Sequence, residues 1–187
     1  MALTLLIILA SVLVLAELVV LAVLLWAAAV NLIFWVPYVQ MPEAGLREVL
    51  ELMRQAGVVA DTKVVDLGAG DGQVLAAIER QFGVVGVGYE ISPWPWLLAQ
   101  WRLRRRGMGS RVHFGDFYRI DLSGYNVVFC FLTQPVMAGL EKKFDRELRL
   151  GTRMVLYGSY LPNGKPVRVV RADKVQGRLS DIYIYKV

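Results

Sequence analysis

The sequence predicts an α/β fold: a mostly parallel sheet covered by helices on both faces, closed by an antiparallel C-terminal strand and preceded by one N-terminal transmembrane helix. Three observations predict it. Residues 2–36 form an apolar run, strand-like and helix-like stretches alternate from 43 to 157, and a strand at 63–67 runs straight into a glycine-rich turn. The chain has 187 residues, enough for one modest domain plus an appendage, and its 56% hydrophobic fraction exceeds that of an ordinary soluble domain because of the N-terminal run. The organisation expected is a transmembrane helix at 1–36, a link and amphipathic helix at 37–62, and a ligand-binding domain at 63–187.

Within the apolar run only Glu17 and Asn31 are strongly polar, and its length exceeds the roughly 20 residues that cross a bilayer core. A cleaved secretory signal is the rival, with Ala27-Ala28-Ala29 as a small-residue site. No Lys or Arg precedes the run, however, and it is longer than the roughly 7–15 residue apolar core of a signal. Every Lys and Arg follows it. That bias places the domain on the cytoplasmic or matrix-like side of a single-pass protein, with Trp26, Phe34, Trp35 and Tyr38 as an interfacial aromatic belt. Glu17 lies mid-span, where a carboxyl either meets a partner helix or is tolerated in a lone one.

Residues 43–56 carry Leu46, Val49, Leu50 and Met53 at helical spacing, and Gly57 closes the helix. This helix must run back along the sheet to deliver Lys63 to the starting edge of the first strand, so its own beginning lies beside the glycine turn. Then follow a helix at 74–82, a strand at 84–89, a helix at 93–106, strands at 111–115 and 125–132, a helix at 136–148 and a strand at 153–157. Residues 117–124 are too few for a crossover helix. Asn163-Gly164 is a turn signal ahead of two final antiparallel strands at 167–170 and 182–187.

The turn reads Asp66-Leu67-Gly68-Ala69-Gly70-Asp71-Gly72. Gly68 and Gly70 permit backbone angles and a close approach that a Cβ blocks, and the amides that open the next helix suit an anionic or nucleotide-like group. A dinucleotide fingerprint needs G-x-G-x-x-G, whereas this turn is G-x-G-x-G behind an acid, which favours S-adenosylmethionine. Glu90 stands at the end of the second strand, about 20 residues on, where an acid takes ribose hydroxyls. Asp116 and Phe117, after the third strand, offer a carboxylate and a ring to adenine. Each acid alone reads equally well as a turn or helix cap.

The turn, together with Gly88-Tyr89-Glu90-Ile91-Ser92-Pro93-Trp94 and Val36-Pro37-Tyr38-Val39, resembles the membrane-anchored class I methyltransferases that modify lysine in the c-subunit of ATP synthase and in the adenine nucleotide translocase, and their prokaryotic relatives. The likeness runs from about Val36 to the C-terminus and includes Leu140-Glu141-Lys142-Lys143 and Arg146-Glu147-Leu148. It implies a Rossmann-like class I sheet and S-adenosylmethionine as cofactor. It further implies that Asp66, Gly68, Gly70 and Glu90, with Ala69, Gly72 and Ile91 in the same turns, hold the amino acid and ribose parts, and that Asp116 and Phe117 hold the adenine.

Methyl transfer is an in-line displacement at a sulfonium carbon, so the protein mainly aligns and desolvates the nucleophile. A lysine acceptor must first lose its proton, and a narrow apolar slot favours the neutral amine. The residues expected at that slot are Tyr38 and Gln40 on the link and Thr133 and Gln134 after the fourth strand, Tyr38 reading equally as a belt residue. Relatives that methylate amino groups of nucleic acids or glutamine carry Asn/Asp-Pro-Pro-aromatic there; Thr133-Gln134-Pro135-Val136 departs from it and argues against those substrates. The expected function is protein-lysine N-methylation of an integral membrane protein at the bilayer surface, with no nucleic-acid partner. A lipid or quinone methyltransferase and a non-catalytic cofactor-binding adaptor are the alternatives.

The formal charge of +5 is partly carried by Arg102, Arg104, Arg105, Arg106 and Arg111 beside Trp94, Trp96 and Trp101. Anionic headgroups explain that cluster better than nucleic acid does, and so does a solvated helix end with the tryptophans in the core. Lone Cys130 reads as a buried small hydrophobe and His113 as structural, with no metal constellation around either.

Overall fold

The computed structural model describes residues 2–34, 39–173 and 180–187. Helix α1 (Ala2–Phe34) contains the 28-residue apolar stretch Ala2–Ala29, whose 18-residue window of mean hydropathy 3.0 has no buried residue, and it is long and apolar enough to cross a membrane. Trp35 and Tyr38 of the expected belt lie outside the described residues.

From residue 43 the chain builds one seven-stranded sheet. Helix α2 (Glu43–Gln55) leads to β1 (Val64–Leu67), α3 (Gln73–Phe82), β2 (Val87–Glu90), α4 (Pro93–Arg105) and β3 (Arg111–Phe114). A short 3-10 turn (Phe117–Arg119) replaces a crossover helix before β4 (Val127–Cys130), followed by α5 (Gln134–Glu147), β5 (Arg153–Tyr157), β6 (Arg168–Val170) and β7 (Ile182–Lys186). The strand order is β3-β2-β1-β4-β5-β7-β6, and β7 alone runs against its neighbours. The mostly parallel sheet with an antiparallel ending is the architecture the alternation predicts.

Two strands are shorter than the apolar runs suggest, and the register explains why. The first pair between β1 and β2 is Val65 with Val87. Residues 84 and 85 fall opposite 62 and 63, which precede β1, so they have no β1 residue beside them. At the other end Cys130 pairs with Leu67, the last residue before the glycine turn, so 131–132 lose their ladder partner.

Alternate β1 residues feed opposite faces, as the strand pleat requires. Val64 packs with Val49, Met53 and Ile78 of α2 and α3 and with Phe129 and Val155, whereas Val65 and Leu67 pack with Met137, Leu140 and Phe144 of α5. Each fully buried side chain of this size contributes about 1.5–3 kcal/mol. Helix α4 closes the β2–β3 edge through Ala99 and Leu103, which meet Leu75 and Val112. Trp96 Nε1 and Gln100 Nε2 donate to the Val112 carbonyl at 3.0 and 2.6 Å, satisfying an acceptor on the edge strand. A core placement of all three α4 tryptophans does not hold: Trp96 is half-buried, but Trp94 and Trp101 face outward.

The connection between β3 and β4 is pinned by a buried lysine. Lys143 of α5 donates to the Tyr118 and Ile120 carbonyls at 3.2 and 2.6 Å and to both carboxylate oxygens of Glu147 at 2.7 Å. Charge pairing and carbonyl acceptors offset the cost of burying the ammonium.

Candidate cofactor and active site

The strand-to-helix corner after β1 is held by hydrogen bonds from the neighbouring strand. Gly68 and Ala69 N–H donate to the Tyr89 carbonyl at 2.9 and 3.0 Å, and Gly70 N–H donates to Glu90 Oε2 at 2.9 Å. The other Glu90 oxygen accepts from Ser92 N–H at 2.7 Å. Gly68 has φ of +78°, which favours glycine, and a Cβ there would stand 2.6 Å from Leu132 Cδ2 and push that side chain aside.

These residues line a cavity at the carboxyl edge of the sheet, with Asp66, Asp71, Gln73 and Phe131 around it and residues 39–41 across its lip. Asp66 is 2% exposed and its Oδ1 has no hydrogen-bond partner among the described residues. Burial, reinforced by Glu90 and Asp71 nearby, pushes its carboxyl up to about 8. Burial also raises Glu90, opposed by the N–H donors of Ser92, Gly70 and Ile91. A buried acid that lacks a partner and faces a cavity is suited to a cationic group.

Asp71 joins three parts of the site. It accepts from Gln73 N–H at 3.1 Å, from Gln40 Nε2 at 3.2 Å, and from Arg102 of α4 in a tight ion pair. Gln73 Nε2 in turn donates to the Met41 carbonyl at 3.3 Å. The start of α2 therefore lies at the glycine turn, as the need to run back along the sheet predicts.

Of the residues singled out in the sequence, Asp66, Gly68, Ala69, Gly70 and Glu90 meet at the cavity. Gly72 stands one step behind as the left-handed cap of α3, and Ile91 follows Glu90. Asp116 caps the 3-10 turn by accepting from Tyr118 N–H at 2.8 Å, and Phe117 is buried below it; neither lines the cavity in this conformation. Thr133 caps α5, and the Gln134 amide exchanges hydrogen bonds with the Tyr160 backbone at 2.9 and 3.0 Å, also away from the cavity. Tyr38 lies outside the described residues. Sequence reasoning missed Asp71 and Phe131. Asp71 had a signal, since an acid inside the glycine turn has few ways to point except across it.

Residues 66–168 match the model of the ANTKMT methyltransferase domain. The chain belongs to this methyltransferase family. Relatives include a protein-lysine N-methyltransferase of Saccharolobus islandicus (strain REY15A), 32% identical over 80% of this chain and 92% of that protein. The adenine nucleotide translocase lysine N-methyltransferase of Mus musculus is 35% identical over 72% of this chain, and the ATP synthase c-subunit lysine N-methyltransferase of Xenopus laevis is 32% identical over 70%. The chain spans just over half the length of these two, 58% and 56%. Among solved structures, an RNA methyltransferase from Salinibacter ruber in complex with S-adenosyl-L-homocysteine superposes with a TM-score of 0.72 at 27% identity, covering 80% of this chain and 94% of that one.

S-adenosylmethionine is accordingly the cofactor of this family member, and the site fits it. The unpartnered Asp66 oxygen could accept from an amino group, Gly68 keeps the corner open, and Glu90 stands at the end of β2, where it could take ribose hydroxyls.

Proposed function

We propose that this methyltransferase is a protein-lysine N-methyltransferase that acts on an integral membrane protein at the bilayer surface, as a single-pass protein with its catalytic domain on the cytoplasmic or matrix-like side. The observation that carries the reading is the link between the apolar helix and the cavity. The segment that follows α1 is bonded to Asp71 and Gln73 at the cavity lip, so membrane exit and methyl donor share one edge. The lysine-modifying relatives supply the acceptor class.

In this reading the organisation is an anchor at 1–36, a link with α2 at 37–62 and the methyltransferase domain at 63–187. Asp66, Gly68 and Gly70, with Ala69, Gly72 and Ile91, hold the amino acid and ribose parts together with Glu90, and Asp116 and Phe117 take the adenine. Bound S-adenosylmethionine supplies a methyl group already activated on a sulfonium. The chain excludes water and holds the acceptor: Val39, Phe129 and Phe131 form the apolar wall of the cavity, which favours a neutral amine over an ammonium. Tyr38 on the link orients that amine, and Thr133 and Gln134 after β4 would join it only once Gln134 leaves the Tyr160 backbone. Glu17 offers a second helix a polar contact within the bilayer.

The test supplies labelled S-adenosylmethionine to membranes with and without the protein. Label in a protein band, on lysine after hydrolysis, is the expected result. Label in solvent-extractable lipid would assign a lipid or quinone substrate, label in RNA would follow the Salinibacter neighbour, and binding without transfer would make the chain an adaptor. Any of those three outcomes overturns the proposal.

A further inference from the structure

One face of α4 is apolar, outward and unused by the site. Trp94, Leu97 and Trp101 are 63%, 48% and 59% exposed and recur at the spacing of a single helical stripe. The stripe continues into exposed Arg104 and Arg105, and the Arg105 guanidinium sits 5.1 Å from the centre of the Trp101 ring. No acidic residue occurs in α4. At the same edge of the domain, the exposed Phe114 ring at the end of β3 lies 5.4 Å from Trp96 and 5.4 Å from Trp26 of α1. Trp26 is three residues from the end of the apolar window.

A soluble domain rarely leaves two tryptophans and a leucine aligned in water. Tryptophan favours the bilayer interface, and arginine beside it is attracted to anionic headgroups by about 1 kcal/mol per charge. We infer that α4 is a second membrane contact, with Trp94, Leu97 and Trp101 seated at the interface and Arg104 and Arg105 on anionic phospholipid headgroups. The inference rests on reading α1 as the membrane anchor, because the Trp26–Phe114 contact is what brings the α4 edge to the bilayer. Charge decides for lipid over a protein helix: an all-basic helix suits a uniformly anionic surface. Since Arg102 of the same helix is paired with Asp71, this contact would also fix how the cofactor cavity faces the bilayer.

The test uses the full chain, reconstituted in vesicles of phosphatidylcholine with phosphatidylglycerol, carrying an environment-sensitive fluorophore at one introduced cysteine in a C130A background. Three sites are compared: L97C on the α4 face, L13C in the middle of α1, and L150C, a fully outward loop position of the domain at 92% exposure. The expected result is strong quenching by nitroxide lipids at L13C and L97C and none at L150C, with quenching at L97C lost in R104E/R105E and in pure phosphatidylcholine. A lipid-quenched L13C with a water-like L97C would overturn this inference and leave the anchor standing. A water-like L13C would remove both. Quenching at L97C that ignores both the arginines and the lipid charge would overturn the headgroup assignment, and efficient L97C cross-linking between copies would give the face to a second molecule instead.

Discussion

Replacing Asp66 with asparagine should stabilise the ligand-free protein while abolishing its response to cofactor. Asp66 is buried without a partner at Oδ1, and its carboxyl is pushed up to about 8 by burial, Glu90 and Asp71. An unfolded aspartate ionises near 3.9, so between roughly pH 4 and 8 the native state holds a proton that the unfolded chain has given up. Stability therefore falls as pH rises through that window. At pH 7 the window has been crossed by about three units, which at 1.36 kcal/mol per unit amounts to about 4 kcal/mol as a ceiling. Asparagine keeps the shape and carries no such penalty. For a chain of this size that corresponds to a rise in melting temperature of about 10 °C at most. The advantage of D66N should grow by about 3 kcal/mol at most between pH 5 and 7, because two units of the window lie between them. The assay is thermal melting in detergent at pH 5, 6, 7 and 8, each with and without S-adenosylhomocysteine. A D66N advantage that stays constant across those pH values would refute the reasoning, and so would ligand stabilisation equal to that of the parent.

Three further outcomes are expected. Gly88→Ala should lower the melting temperature by the equivalent of about 1–3 kcal/mol, because its Cβ would stand 2.6 Å from the Ala69 Cβ and 2.8 Å from Leu75 Cδ1 in a packed corner. Glu90→Ala should weaken S-adenosylhomocysteine binding by isothermal titration, by about 10–100-fold, since it removes the acceptor for Gly70 and Ser92 N–H as well as the acid proposed to take the ribose. Lys143→Ala should cost about 1–3 kcal/mol in chemical denaturation, because it removes the donor to the Tyr118 and Ile120 carbonyls and leaves Glu147 with the Leu122 N–H alone among the described residues.

Much of this was legible in the chain. The mostly parallel sheet could be read because strands and helices of distinct period alternate, and its antiparallel end because Asn163-Gly164 marks a reversal; the spatial order of the strands is set by packing that no local pattern records. Asp66 and Glu90 were legible because a glycine turn leaves few positions for the acids at the two strand ends beside it. The length of β2 was not, since Val84 and Val85 look like strand whether or not a neighbour stands opposite. Asp116 shows the other limit: capping and ligand binding use the same carboxylate in the same place, and sequence carries no sign of which one holds it. The exposure of Trp94 and Trp101 was also hidden, because a tryptophan every few residues on a helix has the same spacing whether it points inward or outward.

The hydrogen bonds from Gln40 to Asp71 and from Gln73 to the Met41 carbonyl have a geometric consequence. Five Cα steps separate Phe34, the last residue of α1, from Val39 at the cavity. Even fully stretched they span no more than about 18 Å. Were α1 embedded as proposed, the reaction centre would be on a leash shorter than the thickness of a bilayer, and an acceptor lysine would qualify by its height above the lipid rather than by the residues flanking it. Lengthening that leash would widen the zone of modification before it slowed the chemistry.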